Sequence, residues 1–176
     1  MNPNASRATP VPAASAPIRW LTRANGCFER IPHSAVALLA RFSIAAVFWN
    51  SGQTKVQGLA INIVNGEFVL GWPRLSESAV ALFQYEFQLP LIAPEWAALM
   101  AAVAEHVFPV LILIGLATRF SALALLGMTA VIQVLVYPGA YATHGTWAAV
   151  LLLLMMRGPG WLSIDHWLAA RQPVAR

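Results

Sequence analysis

The sequence predicts an all-α membrane protein, a four-transmembrane-helix bundle with a short β-hairpin and a surface helix in its first outer loop. Three observations carry that prediction. Hydrophobic residues make up 59% of the chain and charged residues 10%, where soluble domains carry roughly a quarter charged. Four apolar stretches, at about 34–52, 94–117, 119–136 and 142–156, come close to the about 20 residues that a span requires. Basic residues gather at alternate connections, as they do in chains that cross a bilayer several times.

Residues 1–17 are rich in Pro, Ala and Ser, with Arg7 the one charged side chain. Such a composition cannot bury a core and predicts a disordered tail. It has no apolar signal-peptide stretch, so it is read as retained, although its Arg/Ser bias also suits a transit peptide. Across 18–31, Trp20, Leu21, Ala24, Phe28 and Ile31 recur at helical spacing beside Arg19, Arg23 and Arg30. That is the pattern of an amphipathic helix at the interface, which Pro32 closes. The transmembrane domain follows over 32–157, with 158–176 as a C-terminal segment.

In the first span, helical spacing sets Arg41, Ala45, Phe48, Gly52 and Lys55 on one stripe. The loop 53–93 is too polar to span. Leu59, Ile61 and Ile63 alternate with small or polar residues, as do Phe68, Leu70 and Trp72, and Asn65-Gly66 between them signals a two-residue hairpin turn. Ser76-Glu77 then opens a helix to about Phe87, with Val80, Phe83 and Phe87 on one side. Pro90 and Pro94 end the excursion. Tyr137-Pro138-Gly139 separates the third span from the fourth, and Gly158-Pro159-Gly160 stops the fourth. Ser163 or Asp165 caps a last short helix to Ala170.

Arg7, Arg19, Arg23 and Arg30, then Arg119, then Arg157, Arg171 and Arg176 mark one side of the bilayer. The other side holds Lys55 and Arg74 against Glu67, Glu77, Glu86 and Glu95. Both termini are therefore expected in the cytoplasm. The net charge of +4 is explained by anionic headgroups and needs no nucleic acid. Cys27 is the one cysteine, which excludes an intramolecular disulfide, a thiol pair and a cysteine metal site. Haem-attachment, flavin and nucleotide motifs are missing, as is any self-contained catalytic motif.

The candidate intramembrane polar cluster is Arg41, Glu105 and His106. Counted from Arg30 and Arg119, Arg41 and Glu105 fall at depths of about 17 and 21 Å, close enough for an ion pair. Such a pair either fixes helix register or leaves a proton-linked carboxylate beside a quinone or ion path. His106 points about 100° away from Glu105 and is either a hydrogen-bonded core residue or a ligand. Asn50, Gln53 and Lys55 form a candidate outer mouth, or anchor loops. Thr129 and Gln133 are candidate helix–helix polar contacts. Ser163 and Asp165 are cap and turn residues, and no metal site is expected.

Arg41 followed by Gly52-Gln53-Thr54-Lys55 resembles the Arg and Gly-x-x-Lys signature of the DoxX family. Glu105, Gly115-Leu116-Ala117-Thr118-Arg119 and Gly158-Pro159-Gly160-Trp161-Leu162-Ser163-Ile164-Asp165 complete the pattern over roughly 32–170. The long outer loop and the Glu105-His106 pair resemble a subgroup often encoded beside peptide-modifying, metal-dependent enzymes, which implies a metal- or oxidant-response setting. The resemblance implies a bacterial inner-membrane protein, and some members are described as subunits of thiosulfate:quinone oxidoreductases or quinol oxidases. The function it implies is an accessory or membrane subunit of a redox or stress-response system linked to quinone, at most a subunit of an oxidoreductase. The alternatives are a small transporter or permeability component for a metal or small solute, and a structural anchor. Its partners would be the lipid bilayer and a membrane, periplasmic or cytoplasmic protein.

Overall fold

In the first span an alanine falls at nearly every turn that faces a neighbour, and this lets the helices approach closely. The computed structural model describes residues 20, 25–62 and 66–171. Expectations for 1–17, Ile63, Asn65, 172–176 and most of 18–24 lie outside the described residues. Residues 1–32 form one unit; in its described part, 25–28 make a helical turn, with Glu29 N–H donating to Asn25 O at 2.9 Å. Phe28 is exposed there, as is Trp20.

The second unit, 33–176, holds the bundle. Helix α1 (His33–Gln53) leads into strands β1 (Val56–Asn62) and β2 (Glu67–Leu75). Helix α2 (Glu77–Leu82) continues as a wider π-type turn (Phe83–Phe87). Then come α3 (Pro94–Ile114), α4 (Thr118–Val131, with a π-type turn Ile132–Val136), α5 (Tyr141–Arg157) and α6 (Ile164–Ala170). Among the described residues, four helices are long and apolar enough to span: His33–Gln53, Pro94–Ile114, Thr118–Val136 and Pro138–Arg157. Helices α1 and α3 pack together, as do α4 and α5. The shared core is Ala37, Ala40, Ile44, Phe48, Ile112, Ala122, Leu125, Leu151 and Leu154. Small residues at the contact maximise van der Waals packing where lipid offers no hydrophobic drive.

Two span ends differ from the expectation. The second span stops at Ile114 rather than Ala117, because Gly115 takes a left-handed conformation (φ 72°). Gly115 N–H donates to Ile112 O at 3.1 Å and Leu116 N–H to Leu111 O at 2.9 Å, the bond pair of a Schellman C-cap. The fourth span begins earlier than 142, because a 3₁₀ turn over Pro138–Ala140 runs directly into α5.

The hairpin pairs antiparallel, Val56 against Leu75 and Asn62 against Glu67, with a bulge between Gln57 and Leu59. Gly58 sits at φ 85°, where a Cβ would meet Trp72 O at 2.6 Å, so no other residue fits the bulge. Ser76 caps α2, its Oγ accepting from Ala79 N–H at 3.1 Å. Phe83 then buries against Ala97 and Ala98 of α3, which seats the surface helix on the bundle.

Candidate functional site

The Gly-x-x-Lys run ends α1 in a tight turn, with Lys55 N–H donating to Gly52 O at 2.9 Å. Three of its residues, Gly52, Gln53 and Lys55, then have a task. A Cβ on Gly52 would lie 2.9 Å from the His106 ring and 3.1 Å from Glu105 Cβ, so the missing side chain lets α1 touch α3 here. Lys55 turns back into that contact and donates to Glu105 Oε2 at 2.7 Å. Its ammonium also donates to Ser51 O at 3.2 Å and Ser51 Oγ at 3.1 Å, which uses all three of its protons. Lys55 is 5% exposed and Glu105 3%.

Gln53 makes the adjoining link. Its Oε1 accepts from Ile61 N–H at 2.7 Å, which leaves its amide nitrogen to donate to His106 Nε2 at 2.8 Å. His106 Nδ1 donates to Ala102 O at 2.7 Å, since a carbonyl can only accept. The imidazole is therefore held in its Nδ1–H tautomer by partners on both sides. Trp49 packs edge-on against the ring at 5.1 Å and donates to Ile61 O at 3.0 Å. Pro109, four residues after Glu105 and buried in α3, supplies no N–H to the Glu105 carbonyl and loosens the helix at that turn.

The expected Arg41–Glu105 pair does not form. With Gly52 against Glu105, Arg41 lies eleven residues, about 16 Å, back along α1, and its guanidinium meets Ile112 O and the Gly115 turn at the far end of α3. Counting along each span from its own flanking arginine fixes no register between the two helices, and the register is what decides the pairing. Arg41 instead donates to Ile112 O at 2.8 Å, Leu162 O at 2.6 Å, Pro159 O at 3.2 Å and Leu113 O. Of these, Leu113 O is a carbonyl that the end of α3 leaves open, and Ile112 O accepts from Gly115 N–H as well; a cation here also meets the negative end of the helix dipole. Arg41 thus ties α1 to the C-terminus of α3 and to the 158–163 loop.

Ser163 caps α6, its Oγ accepting from His166 N–H at 3.2 Å. Asp165 has a different role. Its two oxygens accept from Ala117 N–H at 2.7 Å and Thr118 N–H at 2.9 Å, capping α4 from the other end of the chain. Thr129 bonds within its own helix, to Leu125 O at 2.8 Å, so the expected cross-helix contact falls to Gln133 alone. Gln133 accepts from His144 Nδ1 at 2.8 Å and donates to Pro138 O at 2.7 Å, joining α4 to α5. Asn50 is exposed and lines an outer groove with the hairpin, apart from the Lys55–Glu105 contact. At the same outer end the Tyr137 phenol donates to Glu86. That bond, then burial, holds Tyr137 above the usual phenol range.

A cavity of about 300 Å³ opens beside Glu105, between α3, α4 and the π-type turn after α2. Thirteen of its fourteen wall residues are apolar, Phe83, Phe87, Phe108 and Met128 among them; the other is Glu105. Met100 and Val131 are exposed at its rim. Sequence reading gave no sign of this cavity, since its walls look like ordinary lipid-facing residues. Gly52 was the one available signal that α1 meets α3 at Glu105.

No curated protein and no solved structure matches the chain. The DoxX family pattern matches residues 36–138, more than half of the sequence, covering Arg41, Gly52, Lys55 and Glu105. With that match and four apolar spans, the chain is an integral membrane protein of the DoxX family.

Proposed function

We propose that the chain is the membrane subunit of a redox system and takes a quinone or quinol headgroup into the cavity beside Glu105. The cavity itself carries this reading: an apolar, aromatic-lined space whose one ionisable wall residue is a carboxylate in a salt bridge. Its volume suits a small planar ring, at the lower end of the about 300–1,000 Å³ of ligand sites. Aromatic walls favour a flat ring, and the apolar rim admits a molecule arriving from lipid.

A quinol delivers two electrons and two protons when it is oxidised. Glu105, ionised against Lys55, accepts a hydrogen bond from a quinol hydroxyl and is placed to take both protons in turn, the second after the first has left toward the polar end of α1. Lys55 and Ser51 compensate the carboxylate and lead away from the cavity toward the polar end of α1. The electrons pass to a partner subunit, for this chain has no motif of its own for holding a redox centre. Both termini lie in the cytoplasm of a bacterial inner membrane in this reading, on the distribution of arginines.

The test is purification in mild detergent, extraction of retained quinone, and titration of a short-chain quinol into the lipid-stripped protein. Retained quinone or saturable binding supports the reading. The absence of both, in protein that unfolds cooperatively, rules it out.

A further inference from the structure

Independently of the quinone reading, we propose that β2 joins two copies of this chain within the membrane, its free edge pairing with β2 of a second copy. The depth of the hairpin comes first. Its base is fixed by Lys55, which meets Glu105 at 2.7 Å, and by Ser76 N–H, which donates to Lys55 O at 2.9 Å. Glu105 stands eleven residues, about 16 Å, inside the outer end of α3 at Pro94. From that level α2 and its π-type turn climb to the outer end, where the Phe87 ring lies 5.7 Å from that of Tyr137. Val56, Pro73 and Leu75 at the base share an apolar groove with Leu99, Val103 and Val107, which α3 exposes along its span.

One edge of the hairpin is covered and the other is not. Ile61 N–H donates to Gln53 Oε1 and Ile61 O accepts from Trp49, so α1 closes the edge of β1. Ile61 pairs with Phe68, and Leu59 with Leu70. Because Ile61 turns its backbone groups away from β2, these are the pairs without ladder bonds, and Phe68 and Leu70 turn theirs outward. Among the described residues the sheet has two strands, and β2 is exposed from Glu67 to Arg74. Leu70 is 81% exposed and Trp72 84%. Lipid offers such an edge no hydrogen bond, and open sheet edges do not occur in hydrocarbon unless protein or a water-filled cavity lines them. The polar groove that Glu67 lines with Asn50 and Gln53 lies between the hairpin and α1, on the covered side.

The cover must bring an unpaired strand edge, apolar side chains and matching charge to this depth, and β2 of a second copy brings all three. An antiparallel two-fold contact centred on Leu70 sets Glu67 of each chain against Pro73 of the other, beside its Arg74. Among the described residues neither Glu67 nor Arg74 is in a salt bridge. The same patch serves both chains, as a two-fold contact requires. Assembly stops at two, because the β1 edges are already closed by α1.

The experiment uses the full chain with Cys27→Ser, reconstituted in bilayers. Under a membrane-permeant oxidation catalyst, Leu70→Cys is compared with Val134→Cys, an exposed position on the third span. Facing residues in a ladder stand about 5.5 Å apart at Cα, so Leu70→Cys should cross-link at least about tenfold faster than Val134→Cys. Association is then followed by energy transfer between labelled copies diluted with lipid. Glu67→Arg and Arg74→Glu should each weaken it at least about tenfold, and the two together should return it to within about threefold of wild type. Unfolding midpoints check that the variants are folded. A nitroxide on Trp72→Cys should be shielded from both oxygen and a water-soluble nickel chelate. The proposal is overturned by cross-linking no faster than the control, or by a double variant as weak as the single ones. Free access of oxygen to the nitroxide, meaning a lipid cover, or of nickel, meaning water, overturns it too.

Discussion

Deleting the Glu105 carboxylate leaves the Lys55 ammonium buried with Ser51 as its remaining partner. Glu105→Ala should therefore destabilise the protein by about 3–5 kcal/mol, the usual cost of stranding one member of a buried pair. Lys55→Met combined with Glu105→Leu should recover most of that loss, since replacing both charges by apolar groups is often neutral. Unfolding in detergent for the four members of this cycle gives the coupling. A parallel cycle on Arg41 and Glu105 should give less than about 0.5 kcal/mol, the behaviour of separated sites. The contrast states what was hidden at this scale: the types Arg, Lys and Glu were legible, but the pairing depended on a register that Gly52 sets from across the contact. Gly52→Ala tests that register. Its methyl must displace the His106 ring, at a cost of about 1–3 kcal/mol, and should disturb the imidazole resonances of His106 in NMR spectra.

Element by element, apolar length and helical spacing made the four spans legible, and alternation made the hairpin legible. The ends were not, because distant residues finish them. Helix α3 stops where Gly115 turns left-handed and Arg41 fills its last carbonyls, and α4 starts where Asp165 receives two amides from 47 and 48 residues away. Asp165→Ala should cost about 1–2 kcal/mol as a lost helix cap. Its local signature is faster hydrogen exchange at the Ala117 and Thr118 amides, with exchange in the middle of α3 unchanged. The π-type turn at Phe83–Phe87, which forms part of the cavity wall, left no mark in the sequence, since its side chains read equally well as a continuing α-helix.

At the scale of the whole molecule, an even number of spans puts the start of α1 and the end of α5 on one side, and Arg41 bridges both to the end of α3. The exposed thiol of Cys27 reports which side that is. In intact cells a membrane-impermeant maleimide should leave Cys27 unlabelled, yet label a Glu67→Cys variant in which Cys27 is replaced by serine; the reverse pattern would invert the orientation. The central claim is that the cavity beside Glu105 holds a quinone headgroup, and filling the cavity tests it most directly. Ala104 lies on its wall, and Ala104→Phe places a ring where the ligand would sit without touching the Lys55–Glu105 pair. The decisive measurement is equilibrium binding of a short-chain quinol to wild type and to Ala104→Phe, with unfolding midpoints as the control for folding. The account predicts saturable binding to wild type and at least about tenfold weaker binding to a variant whose midpoint is little changed, a loss of about 1.4 kcal/mol or more. Equal binding by the two proteins would contradict it.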